Sequence, residues 1–322
     1  MRTFTNLKQE FGYMRNKRLT TIGKNILKSI ITLVALYWVS RKIDFTELKT
    51  ALVDCNWFFL FLGLCSYVVS QLVASSRLNS FFKAIHLDLS ERYNLRLYQL
   101  GLLYNYFLPG GIGGDGYKIY FLKKKHQISG RKILSAVFFD RLSGLWALAL
   151  ITCALVVFMP RLAIPNAITI AAAIIGTVSY YFFLRILFKQ FARIFVRTHI
   201  KALAVQGFQV LAAILILYSL NFDGKFSPYL LIFLLSAIVA IVPSIGGGVG
   251  LRELVMVYGA TYFQIDEHTA VLLSLFFNLI SVVVASSGIY YIFRPQRLGA
   301  DYLPTVAEVE QEIDKDVLKE EE

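Results

Sequence analysis

Long apolar runs separated by short charged stretches dominate this chain. The runs occupy residues 22–39, 57–79, 133–159, 166–184, 202–220 and 268–293. Each is near or above the ~20 apolar residues a helix needs to cross a bilayer. Two further apolar stretches, 93–108 and 228–242, run into clusters of Gly and Pro, and short arms, 116–122 and 251–263, lead out of them. Residues 41–56 form a mixed loop with an amphipathic piece at Phe45, Leu48 and Leu52, and 301–322 are polar and acidic, a tail unsuited to a packed core. The pattern predicts an all-α, polytopic integral membrane protein.

The two interruptions are copies of each other. The first runs from Leu108-Pro109-Gly110-Gly111 through Gly113, Gly114 and Asp115 to Gly116 and Lys118. The second runs from Val242-Pro243 through Gly246, Gly247, Gly248 and Gly250 to Arg252 and Glu253. With Pro109 set on Pro243, an offset of 134, Gly113 falls on Gly247, Gly114 on Gly248, Gly116 on Gly250, Lys118 on Arg252, and Ala136-Val137 on Ala270-Val271. Pro and clustered Gly break helices, through the missing N–H and the backbone entropy. Matched breaks in two halves point to a transporter's binding site. The glycines also fit close packing of helices through small residues, as in Gly110-x-x-x-Gly114 and Gly246-x-x-x-Gly250. Two breaks with charge beside them favour re-entrant hairpins whose half-helix N-termini aim free N–H groups into a cavity.

Composition agrees with a membrane protein: 57% of the 322 residues are hydrophobic and 15% aromatic. Net charge is +12, but the 301–322 tail holds nine acids and two lysines, so the preceding residues carry +19. On a membrane protein such an excess marks cytoplasmic loops and attraction to anionic lipid, not nucleic acid. The N-terminus, 77–96, 118–132, 185–201 and 294–297 are basic and predicted cytoplasmic. The charge-poor loops 160–165 and 221–227 are predicted outside, with 41–56 placed there by alternation. This closes only if neither broken segment crosses completely, which gives the halves 22–159 and 166–293 opposite orientation. The predicted layout is a cytoplasmic segment at 1–21, a membrane domain at 22–297 and an acidic cytoplasmic tail at 298–322, in the plasma membrane or a Gram-negative inner membrane. The apolar run after Lys24 lacks a cleavage pattern and reads as an uncleaved first helix.

Several motifs are excluded by context. Gly111–Gly116 fits GxGxxG, but an aromatic membrane stretch precedes it where a strand is required. Cys55, Cys65 and Cys153 lack CxxC spacing, so neither a disulfide framework nor a metal site is predicted. Asp314-Lys315-Asp316 reads as solvated acid. His86, His126, His199 and His268 are scattered and receive no role, and Arg77 reads as an interfacial cation whose stem snorkels. The sharper signal is charge within apolar sequence: Asp115, Asp140, Arg141, Arg252 and Glu253. Each costs about 2.5–3.5 kcal/mol at a helix centre on insertion scales, so they should pair or line a wet cavity.

Pro109 to Asp115, then Asp140-Arg141-x-x-Gly144, then Pro243 to Gly250-x-Arg252-Glu253 resemble the lysylphosphatidylglycerol synthase transmembrane family, over about residues 20–295. A departure is Asn278, where the resemblance leads one to expect arginine. The resemblance implies a flippase-like protein that handles membrane lipids. The expected function is translocation of a phosphate-bearing lipid, an anionic phospholipid or polyprenyl phosphate. The expected substrate-binding set is Gly113, Gly114, Asp115, Lys118, Asp140, Arg141, Gly247, Gly248, Gly250, Arg252 and Glu253. Lys118, Arg252 and Arg141 would meet phosphate, and the carboxylates would hold these cations or accept an amine or proton. No catalytic residue, metal or cofactor is expected, and a homo-oligomer is compatible with this reading. Aminoacylating relatives carry an additional soluble domain, and only some thirty residues follow Arg294 here. The alternatives are a membrane-embedded transferase of polyprenyl-linked sugar and a non-transporting envelope scaffold.

Overall fold

A computed structural model describes residues 45–107, 113–159, 164–239 and 251–299. Its helices are α1 (Phe45–Asp54), α2 (Trp57–Ala84), α3 (Glu91–Phe107), α4 (Gly113–His126), α5 (Gly130–Val157), α6 (Asn166–Leu187), α7 (Lys189–Ala192), α8 (Phe195–Ser219), α9 (Phe226–Val239), α10 (Leu251–Phe263), α11 (Glu267–Ser286) and α12 (Ile289–Phe293), closed by a 3-10 turn at Pro295–Leu298. The described residues are helical with no strands, and five helices are long and apolar enough to cross a membrane: α2, α5, α6, α8 and the Glu267–Phe293 unit of α11 and α12. The predicted first span, 22–39, and the acidic tail lie outside the described residues.

The centre is an antiparallel pair, α2 and α8. The Asn56 amide donates to Ser219 O at 2.7 Å, Ser66 Oγ to Phe208 O at 2.7 Å, and Lys201 Nζ to Ser76 O at 3.0 Å, so one helix rises as the other descends. Each end of the pair holds its own apolar core. At one end Leu78, Phe81 and Phe82 of α2 pack with Leu97 and Leu100 of α3, Tyr117 and Leu122 of α4, and Ile133 and Phe139 of α5. At the other, Leu60 and Tyr67 pack with Ala212 and Ile216 of α8, Phe233 of α9, Met256 of α10 and Phe276 of α11. The α3–α4 and α9–α10 hairpins therefore sit at opposite ends of the central pair.

The repeat read from the glycine motifs extends through these elements. Moved along by 134 residues, the starts of α2, α3, α4 and α5 land within four residues of the starts of α8, α9, α10 and α11. Even the terminations recur. His86 after α2 and Asn221 after α8 are left-handed (φ 63° and 56°), as are Gln127 after α4 and Gln264 after α10 (φ 54° and 53°). A left-handed residue closes a helix by turning its last carbonyls back onto the chain. Ala136 and Ala270, matched by the same offset, are both fully buried.

The outward faces are apolar. α6 buries only Thr169 and Leu184 and exposes Ile168, Ile174, Ile175, Phe182 and Ile186, as a helix bathed in lipid tails must. Much of the basic 118–132 stretch and of the predicted 185–201 loop is helical. Lys123, Lys124 and Lys125 lie in the last turn of α4, where cations complement the helix dipole. Arg131 and Lys132 begin α5, and Arg197 and Lys201 lie in α8. Arg and Lys are good helix formers, and Lys201 is drawn onto α2 by bonds to Ser76 Oγ and Ser80 Oγ at 2.8 and 3.0 Å.

Helix α11 starts at an N-cap: Asp266 Oδ2 accepts from the Thr269 amide at 2.7 Å. Burial works against the Asp266 charge, but bonds from Thr269 outweigh it and hold the carboxyl below its usual range. A depressed folded value means that the cap's contribution is full at neutral pH and fades as pH falls through that value. Asp266→Ala is expected to cost about 1 kcal/mol at neutral pH. Thermal unfolding in detergent should show the gap to wild type narrowing on acidification.

Candidate functional site

The described members of the predicted site fall into two clusters, one at each hairpin. The first is built where α4 begins. Gly114 lets α4 cross α3 at backbone distance, since a methyl group there would lie 1.8 Å from Gly101 O. Its amide, one of the helix-start donors without a partner within the helix, donates to Asn105 Oδ1 at 2.7 Å. Gly113, at φ +44°, makes the turn into the helix. Asp115 follows in the first turn, where a carboxylate is favoured by the dipole.

Asp115 holds two cations. Lys118, one turn on, donates to Oδ1 at 2.6 Å, and Arg141 Nε of α5 donates to Oδ2. The two cations differ in access: the Lys118 side chain is 5% exposed and that of Arg141 55%. The Lys118 stem crosses Gly101, and its ammonium lies over the Tyr98 ring, 5.2 Å from the centroid. Tyr98 donates in turn to Gln71 Oε1 at 3.2 Å.

Asp140 turns the other way. Consecutive helical residues point about 100° apart, so while Arg141 reaches Asp115, Asp140 faces α2 and receives Arg77. Nε donates to Oδ1 at 2.8 Å and Nη2 to Oδ2 at 3.1 Å, a two-pronged buried pair. This corrects the reading of Arg77 as an interfacial snorkelling residue: it is 7% exposed and its charge is met inside the protein. Gly144, one turn after Asp140, makes room; a methyl group there would come to 3.3 Å from Arg77 Nη1. The resemblance motif Asp140-Arg141-x-x-Gly144 thus encodes a carboxylate for Arg77, a cation for Asp115 and a gap for the guanidinium. Arg77, Tyr98, Gly101 and Asn105 were missed, because their partners lie on other helices; only a charge inside an apolar run at Arg77 gave a signal.

The second cluster lies in the first turn of α10. Arg252 and Glu253 are both 6% exposed. Glu253 Oε1 accepts from Ser274 Oγ at 2.9 Å and Asn278 Nδ2 at 3.0 Å. Arg252 Nη1 makes a long bond, 3.5 Å, to Asn278 Oδ1, and its guanidinium lies 5.4 and 5.2 Å from the ring centroids of Phe233 and Phe277, which pack against each other at 4.8 Å. Asn278 therefore bridges the ion-bearing neighbours. The offset of 134 carries Asp140 to Ser274 and Gly144 to Asn278, so the same two helical positions receive the buried charges of each half. Gly247, Gly248 and Gly250 lie outside the described residues. Lys118 binds Asp115 and Arg252 bonds Asn278, so the described partners of these two cations belong to separate clusters. Among the described residues no group of three or more His, Cys, Asp or Glu is placed to hold a metal ion.

No curated protein matches this chain. The family model described as the lysylphosphatidylglycerol synthase TM region matches residues 25–287, spanning both hairpins and all five long apolar helices up to the end of α11. The protein is accordingly a multi-pass membrane protein, and the chain belongs to the lysylphosphatidylglycerol synthase transmembrane-region family.

Proposed function

We propose that this protein moves a phosphate-bearing lipid, an anionic phospholipid or polyprenyl phosphate, between the leaflets of a plasma membrane. The observation that carries the reading is the exposed Arg141 on Asp115. Asp115 and Asp140 face three cations, Arg77, Lys118 and Arg141, so this group holds one positive charge in excess, and its accessible member is Arg141. A phosphate entering apolar surroundings needs its charge compensated throughout. A guanidinium offers it a planar fork, while the acyl or prenyl tails remain in lipid.

The hairpins supply the route. Each joins its two arms through one of the matched clusters of Gly and Pro, which break helices. We read them as re-entrant from opposite sides, with both termini cytoplasmic, the halves 22–159 and 166–293 inverted, and a cytoplasmic segment and tail flanking the 22–297 domain. Arg252 and Glu253, with Gly247, Gly248 and Gly250, take the corresponding part in the second half.

The test is reconstitution in liposomes with a fluorescent phospholipid or polyprenyl phosphate, followed by its appearance in the other leaflet. Arg141→Gln is expected to slow translocation about tenfold, the loss of one charge-assisted bond, while thermal stability changes little because the side chain is largely exposed. Mass spectrometry should return the lipid unaltered. A wild-type rate in the variant would sink the assignment of Arg141, and a covalently modified lipid would replace translocation by group transfer.

A further inference from the structure

The 3-10 turn at Pro295–Leu298 is fastened to the first half of the protein. Leu298 is fully buried in the core shared by α2, α3, α4 and α5. Lys125 Nζ, in the last turn of α4, donates to Leu298 O at 2.6 Å, and Arg96 Nη1 of α3 donates to Arg297 O at 2.9 Å. Gly299 ends the turn in the left-handed region (φ 67°), its amide bonded to Gln296 O at 2.9 Å. A methyl group on Gly299 would lie 2.5 Å from Lys125 Nζ. The chain beyond Gly299 therefore starts beside the end of α4.

That place is strongly basic. Helix α4 ends in Lys123, Lys124 and Lys125, and α5 begins with Arg131 and Lys132. The left-handed Gln127 turns one helix into the other, and a methyl group on Gly130 would touch Lys123 Cδ at 3.5 Å, so the five cations share one corner. Lys124, Lys125, Arg131 and Lys132 are exposed, and no Asp or Glu occurs between Asp115 and Asp140. Glu91 of α3 is engaged by Lys83 at 3.3 Å. Gathered like charges repel unless a counter-charge meets them. The segment that starts there carries it: residues 301–322 hold nine acids and two lysines, and every second residue from Glu308 to Asp316 is acidic. Glu308 stands nine residues past Gly299. An extended chain covers ~3.3–3.6 Å per residue, so the acids can reach every cation of the corner.

We propose that the acidic segment 301–322 docks on the basic α4–α5 corner as an intramolecular counter-charge. Tethering favours it over a free anion, since short tethers give an effective concentration on the order of millimolar. Screening confines such attraction to about 8 Å at physiological salt, and the corner lies where the tether begins. The docked segment keeps anionic headgroups off these five cations. That role is separate from Arg141 and stands or falls independently of lipid translocation.

Carbodiimide coupling of the full-length protein tests it, because the reagent joins an amine only to a carboxylate in contact. It is applied in vesicles of phosphatidylcholine and in vesicles of equal parts phosphatidylcholine and phosphatidylglycerol. The expected peptide pairs join Lys124 or Lys132 to acids of 308–316 within one polypeptide, in both membranes. Their yield is expected to fall roughly threefold between about 0.1 and 1 M salt, as the screening length drops from ~10 to ~3 Å. Arg131→Gln keeps every amine and should lower the yield about twofold, the worth of one exposed ion pair. Pairs absent from both membranes, pairs formed only between copies, or pairs confined to lysines of residues 1–28 overturn the proposal. Pairs lost when phosphatidylglycerol is present give the corner to the membrane surface and overturn it too.

Discussion

Asp140→Ala is expected to destabilise the protein by about 3–5 kcal/mol, the cost of stranding one member of a buried ion pair. Arg77 cannot relieve the loss by giving up its proton, since a guanidinium stays charged in proteins. Nor can its short distance from helix α5 be covered by bulk water, because the side chain is 8% exposed. The two bonds at 2.8 and 3.1 Å vanish together, and Nη1 lacks a protein partner already. Arg77→Met combined with Asp140→Leu removes both charges and fills similar volume, and it is expected to recover most of the loss, as apolar replacements of buried pairs often do. Arg77→Lys should fall between, because one ammonium cannot reproduce a two-pronged contact. Thermal unfolding of the purified variants in detergent measures the series. A double variant no more stable than Asp140→Ala would show that packing around α5, and not the stranded charge, sets the cost.

The helices were legible in the sequence because membrane spans must be long and apolar, and the repeat was legible because Pro and Gly mark it at a constant offset. Tertiary pairing was not. Asp140 and Arg141 adjoin in sequence, and reading them as one ionic unit hid that a helix sends them to different partners, Arg77 and Asp115. Arg77 looked interfacial because the basic stretch from 77 to 96 follows it, but α2 continues to Ala84 and carries it inside. The offset that matches Lys118 with Arg252 also matches their hairpins, which pack against the two apolar cores of the α2–α8 pair. Asn278 stood out as a departure from arginine, and it turns out to donate to Glu253 and accept from Arg252. An arginine there would face Arg252 across the carboxylate, so the neutral amide suits a cluster that already holds one cation and one anion.

Gly114→Ala is expected to abolish lipid translocation and to cost about 1–3 kcal/mol or more, at the upper end of overpacking penalties. The added methyl would lie 1.8 Å from Gly101 O, 2.5 Å from Gly101 C and 2.6 Å from Gly101 Cα. All three are backbone atoms, so no rotamer change clears them and α4 must move away from α3. Asp115 and Lys118 ride on the displaced helix, and the bond from the Gly114 amide to Asn105 is lost with it. Gly101→Ala should be milder, because its methyl would meet Lys118 Cε at 2.8 Å, the far end of a flexible side chain. Gly176→Ala and Gly207→Ala meet nothing within 4 Å and should be neutral or stabilising, by up to about 1 kcal/mol of helix propensity. The order of unfolding midpoints should therefore run Gly114→Ala lowest, Gly101→Ala next, and the two open sites at or above wild type. If Gly114→Ala matched Gly176→Ala in both stability and translocation, the close crossing of α3 and α4 would not be what positions Asp115 and Lys118.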